Sequence, residues 1–137
     1  MMKLLSILSL LAFASAAHAA SVPSVTPKEA AALVAEGKAV LVDVRESSEW
    51  EETGVAAPAT LLAKSDFDGP QTSWKPFLEE HREQKVILYC ASGKRAGAVA
   101  KTLAEKGYNV ANAGGFDAWK SAGLPTRAAD APQGSTK

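Results

Sequence analysis

Cys90 is the only cysteine among 137 residues, and it opens the run Cys90-Ala91-Ser92-Gly93-Lys94-Arg95. A thiol is a useful nucleophile only as thiolate, and an ordinary cysteine has a pKa near ~8.5. The residues that follow favour the charged form. Lys94 and Arg95 bring positive charge within the same turn. Gly93, with the small Ala91 and Ser92, lets the backbone curl until successive N–H groups face one point, and such a concavity binds anions. A helix beginning near Lys94 or Arg95 adds the positive end of its dipole. Free cysteines are often simply buried, but a core cysteine does not require a glycine and two cations directly after it.

The rest of the chain narrows the chemistry. Cysteine hydrolases need a base, usually histidine. His81 is the candidate, and it sits among Glu79, Glu80, Arg82 and Glu83 on what reads as a solvated helix face. Dithiol exchange needs a second cysteine. What remains is attack by an electrostatically activated thiolate on an anionic substrate, with transfer to sulfur or to phosphorus.

Elements must place that loop at a usable edge. Val86 to Cys90 end a nearly all-apolar run, "KVILYC", and "AVLVDV" (39–44) is a second one; both read as strands covered on both faces. "GKRAGAVAKTLAEKG" reads as the helix that follows Cys90, with Gly107 as its stop. "TPKEAAALVAEG" has a capping Thr26, Pro27 at the first helical position, Glu29 to complete a capping box and Gly37 beyond the end. "TSWKPFLEEHREQ" sets Trp74, Phe77 and Leu78 at helical spacing. "SSEWEETG" and "FDAWKSAG" read as short helices, and "ATLLA" and "YNVANA" as short strands. Strands alternating with helices imply an α/β fold with a mostly parallel sheet between helical layers. Ligands in such sheets lie beyond the carboxyl ends of the strands, which puts Cys90 on the functional edge with Asp43 and Arg45 as candidate neighbours.

The chain divides into three parts. Residues 1–19 carry Lys3, an apolar run from Leu4 to Phe13 and Ala17-His18-Ala19, the pattern of a secretory signal cut after Ala19. The apolar run is too short to span a bilayer, which takes roughly 20 residues. A periplasmic or otherwise secreted protein is expected, with no membrane attachment after cleavage. Residues 20–126 form the folded domain, and 127–137, "RAADAPQGSTK", a flexible tail. The mature chain has 14 basic and 15 acidic residues, a net charge of −1. That balance excludes general affinity for nucleic acid or anionic membrane, so any anion site is local. A single cysteine forms no internal disulfide, and a domain of this size can be a monomer.

The segments "LVDVRESSEW" and "VILYCASGKRAGAVAKTLAEKGYNVANAGGFDAWKSAGLP" resemble the single-domain rhodaneses, thiosulfate-type sulfurtransferases. The resemblance covers residues 26–125. It implies a five-stranded, mostly parallel sheet flanked by helices on both faces, and a reaction without metal or organic cofactor. By that match Cys90 carries sulfane sulfur as a persulfide, the backbone of Ala91, Ser92, Gly93, Lys94 and Arg95 cradles it, and Lys94 and Arg95 attract an anionic donor. The implied partners are a small anionic sulfur donor and a thiol, cyanide-like or protein acceptor. Asp43 and Arg45 match an Asp-x-Arg motif that could position the loop, although mutual pairing explains them more simply. Phe116 and Trp119 read as core rather than a substrate wall, and Gly114-Gly115 as a close backbone approach near the active loop, though a plain turn explains the pair as well.

Two alternatives stay open. Phosphatases that resemble this fold carry one residue more between cysteine and arginine; this chain has four, which suits the smaller sulfane sulfur. A module that binds sulfane sulfur or a partner with little turnover would keep the same loop. The chain also departs from the family where a Gly-His-Ile-Pro-Gly-Ala segment is common, reading "GVAAPATLL" (54–62) instead.

Overall fold

The computed structural model describes residues 21–134. The expected leader, 1–19, lies outside them. In chain order the elements are α1 (Pro27–Ala35), β1 (Ala39–Asp43), α2 (Ser47–Thr53), β2 (Val55–Ala56), β3 (Ala59–Leu61), α3 (Lys64–Asp68), α4 (Trp74–Glu80), β4 (Lys85–Cys90), α5 (Lys94–Glu105), β5 (Val110–Gly115), α6 (Phe116–Ser121) and β6 (Thr126–Arg127). Two helix starts follow the side chains that cap them. Thr26 accepts from the Glu29 amide at 3.1 Å with Pro27 at the first helical position, and a Glu46–Glu49 capping box opens α2. Among the described residues no helix is long and apolar enough to cross a membrane.

The central sheet is parallel, in the order β3-β1-β4-β5. It has four strands where five were expected. The segment before α1 reaches the β5 edge, but it pairs only through a single Ser24–Asn112 bridge. Pro23 has no N–H to give to a ladder, and only its carbonyl is used, accepting from Asn112 at 2.9 Å.

Alternation along β4 sorts the core into two layers, as the period of a strand requires. Val86, Leu88 and Cys90 face one layer with Trp74, Phe77, Val99 and Leu103. Ile87 and Tyr89 face the other, with Ala30, Phe116 and Trp119. Both faces of the strand are therefore dry, and each large side chain so buried contributes about 1.5–3 kcal/mol. Two indoles are satisfied, Trp74 donating to the Ala63 carbonyl at 2.9 Å and Trp119 to that of Pro125 at 2.8 Å, whereas the buried Trp50 Nε1 has no partner among the described residues. Phe116 and Trp119 are thus core, as expected.

The segment from Arg127 does not begin as a loose tail. β6 pairs antiparallel with β2, and the Arg127 guanidinium is buried, donating to the carbonyls of Ala57, Ala59 and Ala131. A buried guanidinium is tolerated only with such partners, and here they tie residues 128–131 back onto the β2–β3 turn. Burial lowers its pKa, with no carboxylate beside it among its hydrogen-bond partners.

Candidate active site

The site is built where β4 runs out. Cys90 ends the strand, and Gly93 forms the N-cap of α5 with φ +94, a left-handed conformation that glycine adopts without penalty. That turn folds the chain back over the sulfur. The amides of Gly93 and Ala96 donate to Cys90 Sγ at 3.0 and 3.4 Å, and the start of α5 faces it. Hydrogen bonds of this kind are strongest to a charged acceptor. The amides of Ser92, Lys94 and Arg95 have no acceptor among the described residues, so the loop keeps donors for a further anion. Cys90 itself is fully buried, while Ala91, Ser92 and Lys94 are exposed.

Strand β5 holds this loop in place. Leu88 pairs with Asn112 and Cys90 with Gly115, so β5 uses three residues where β4 uses two, with Gly114 in the bulge at φ +82. The Asn112 amide donates to the Gly93 carbonyl at 2.9 Å and its oxygen accepts from the Gly114 amide at 2.9 Å. One side chain thereby joins the active loop to the bulge. Gly115 lies so close that a Cβ there would stand 2.2 Å from the Ala91 carbonyl oxygen. The close approach expected of Gly114-Gly115 is therefore real, and Gly115 is the residue that needs it. Asn112 was not anticipated, although a lone amide inside the apolar run 110–113 beside two glycines was a readable signal.

Asp43 and Arg45 form a buried, multiply bonded pair. Arg45 Nε lies 3.1 and 3.0 Å from the two Asp43 oxygens and Nη2 2.7 Å from Oδ2. The guanidinium also donates to Thr53 Oγ1 and the Gly54 carbonyl and lies 4.5 Å from the Phe116 ring centroid. Burial would lower the Arg45 pKa, but hydrogen bonding and charge from Asp43 outweigh it and the net shift is upward. Every polar group of the pair is thus engaged in bracing the end of β1 against α2, the simpler reading of the motif. Tyr89, stacked over Phe116 and Trp119, accepts from the Ala56 amide. Burial and the Asp43 charge hold its phenol far above the usual range.

The two loop cations part company. Lys94 is exposed and forms no ion pair among the described residues. Arg95 turns back across the loop to Glu49, Nη1 to Oε1 at 2.6 Å and Nη2 to Oε2 at 2.9 Å. That hydrogen-bonded pair holds the Glu49 carboxyl down to about 2 and raises the guanidinium. Arg95, expected with Lys94 to attract an anionic donor, thus spends one bond from each terminal nitrogen on Glu49, while Lys94 stays unpaired among the described residues. A cleft of about 230 Å³ opens beside Ala91 between α2 and α6, lined by Arg45, Glu49, Glu52 and Asp117 among others.

His81 ends α4, packs on Phe77 with centroids 4.5 Å apart and contacts Gln84. It is partly buried rather than on a solvated face, and none of its partners belongs to the Cys90 loop. Among the described residues no three His, Cys, Asp or Glu side chains gather as a metal site.

A family model for the rhodanese-like domain matches residues 26–122. The chain is 32% identical over 108 residues to the thiosulfate sulfurtransferase GlpE of Actinobacillus succinogenes, across 77% of this chain and 90% of that protein. Two solved structures share the architecture. A protein of unknown function from Rhodopseudomonas palustris, described as a "Possible Tyrosine Phosphatase", superposes with a TM-score of 0.65 at 32% identity, over 77% of this chain and 85% of its own. A rhodanese-like domain protein from Staphylococcus aureus gives 0.60 at 25% identity, over 77% and 99%.

Proposed function

This chain belongs to the rhodanese-like domain family, and from that premise we propose that it is a sulfurtransferase carrying sulfane sulfur as a persulfide on Cys90. The observation that carries the proposal is the cysteine sulfur at the focus of the Gly93 and Ala96 amides, in a loop with further free donors. Two displacements complete the cycle. The Cys90 thiolate attacks the outer sulfur of an anionic donor such as thiosulfate; a new S–S bond forms, the donor's S–S bond breaks, and sulfite leaves with the electron pair. The acceptor, a thiolate or cyanide, then attacks the outer persulfide sulfur and Cys90 leaves as thiolate. The loop amides stay aimed at the negative sulfur throughout, so no proton need be moved to the leaving atom, and the absence of a histidine from the loop costs nothing.

The phosphatase description of one structural neighbour gives the competing reading. Against it stand the four residues between Cys90 and Arg95 and the engagement of Arg95 by Glu49, which leave less room and less free charge for a tetrahedral phosphate. Purified protein lacking residues 1–19 should produce thiocyanate from thiosulfate and cyanide, and Cys90→Ala should abolish it. No thiocyanate above the Cys90→Ala control with several donors, or turnover of an aryl phosphate instead, would overturn the proposal. A stable Cys90 persulfide with negligible turnover would mark a sulfur-binding module.

We place the working protein outside the cytoplasm, exported and cut after Ala19, on the residue pattern of 1–19. Intact mass of protein recovered from its own compartment tests that cut.

A further inference from the structure

The sequence offers a donor two cations, but the fold presents one. Arg95 and Glu49 meet in a fork-to-fork pair, the bidentate geometry in which guanidinium and carboxylate bind most strongly. Glu49 cannot readily swing away, because its Oε1 also accepts from the Glu46 amide at 3.2 Å, closing the capping box of α2. The two side chains are about one-third exposed, 33% for Arg95 and 30% for Glu49, so the pair lies at the mouth of the site rather than deep beneath it. With its carboxyl held at about 2, Glu49 stays ionised throughout the neutral range.

The remaining charges around the mouth nearly cancel. Asp43 neutralises Arg45, and Lys120 pairs with Asp117 at 3.4 Å. That leaves Lys94 against Glu52, which lines the cleft beside Ala91, and Glu46, whose charge acts on Arg95; neither carboxylate forms an ion pair among the described residues. A dianion approaching Cys90 therefore meets a mouth whose side chains carry no excess of positive charge, although the loop itself holds two cations. Coulomb attraction scales with the donor's charge, so the withdrawal of one cation penalises a doubly charged donor more than a singly charged one.

We infer that Glu49 is a specificity-determining residue that, by clamping Arg95, biases sulfur loading toward singly charged donors of the persulfide and thiosulfonate class and away from the thiosulfate dianion. The inference rests on the sulfurtransferase reading above. In each loading reaction the Cys90 thiolate takes the outer sulfur of the donor. Sulfite leaves from thiosulfate, a sulfinate from a thiosulfonate and a thiolate from a persulfide, each with the electron pair of the broken S–S bond.

The test compares kcat/KM for persulfide formation on Cys90, followed by intact mass at low ionic strength, with thiosulfate and with methanethiosulfonate. Glu49→Gln removes one negative charge from the mouth. Because the energy is linear in donor charge, a gain of about threefold for the monoanion implies about tenfold for the dianion, so the thiosulfate-to-thiosulfonate ratio rises about threefold. Arg95→Gln exposes the Glu49 charge and should move the ratio about as far the other way, and the double variant, which removes one charge of each sign, should return it near wild type. A ratio unchanged in both single variants, with the two donors gaining or losing together, would make Glu49 a structural brace and overturn the assignment. If neither donor loads wild-type Cys90, the sulfurtransferase reading falls and this inference with it. If Glu49→Gln does not fold, the Arg95→Gln ratio and the double variant decide the matter.

Discussion

Gly115→Ala isolates the close packing on which the active loop depends. At φ −116 the backbone of Gly115 is one that alanine adopts without strain, so the substitution tests space alone. The added Cβ would stand 2.2 Å from the Ala91 carbonyl oxygen, 3.0 Å from its carbon and 3.4 Å from Ser92 Cα. Carbon–oxygen contacts of this kind normally begin near ~3.3 Å, so β5 and the loop must part by about 1 Å. All the opposing atoms are backbone, and no rotamer change relieves them. Ala91 follows Cys90 directly, and the shift therefore reaches the sulfur and its amide donors. A displacement of about 1 Å at reacting atoms costs on the order of 10²-fold in rate, and over-packing costs about 1–3 kcal/mol. For a domain of this size that lowers Tm by roughly 5–15 °C. Thiocyanate formation and thermal unfolding measure the two effects. Gly114→Ala serves as the contrast: nothing lies within 4 Å of its Cβ position, but φ is +82, so it should cost about 1 kcal/mol of conformational strain with a smaller loss of turnover. Wild-type turnover and Tm in Gly115→Ala would refute the reasoning that this contact sets the loop.

Three further outcomes follow from named contacts. Asn112→Ala removes the bond to the Gly93 carbonyl and the acceptor of the Gly114 amide; urea unfolding should show a loss of about 1–3 kcal/mol, with reduced turnover because the loop loses its tie to β5. Arg127→Ala strips a buried donor from the carbonyls of Ala57 and Ala59 and should cost about 1.5–3 kcal/mol, yet leave thiocyanate formation near wild type well below the melting transition. Glu49 has its carboxyl at about 2 against an ordinary 4.5, so the stabilisation it gives is complete above the ordinary value and is lost as pH falls through the depressed one. Acid unfolding of the wild type should accordingly lose stability between about pH 4.5 and 2 relative to its neutral value, and Glu49→Gln should lack that component.

What could be read from the residues was local in the chain. The apolar run into Cys90, the glycine and the two cations are contiguous, so the strand end, the turn and the helix start follow from short-range rules. Thr26, Pro27 and Glu29 fall within one turn for the same reason. The features that escaped are long-range or too short to carry a period. β2 and β6 are two residues each, below any alternation signal, so Arg127 looked like the first residue of a polar tail. The fifth strand shrank to one bridge because a proline at 23 spoils the ladder, a veto the hydrophobic pattern does not register.

The partner of Arg95 is the most consequential of these, because it lies 46 residues away and depends on how α2 sits beside the β4–α5 turn. Charges counted along a loop add, whereas charges in a fold cancel wherever a partner from another element arrives. Cys90 and its amide donors could be assigned from composition because they act through the backbone of their own turn. The field a donor meets could not, because it is the residue of pairings between α2, β1, α6 and the loop. On the proposed reading, nucleophile and anion cradle are local properties of this chain, and donor preference is a tertiary one.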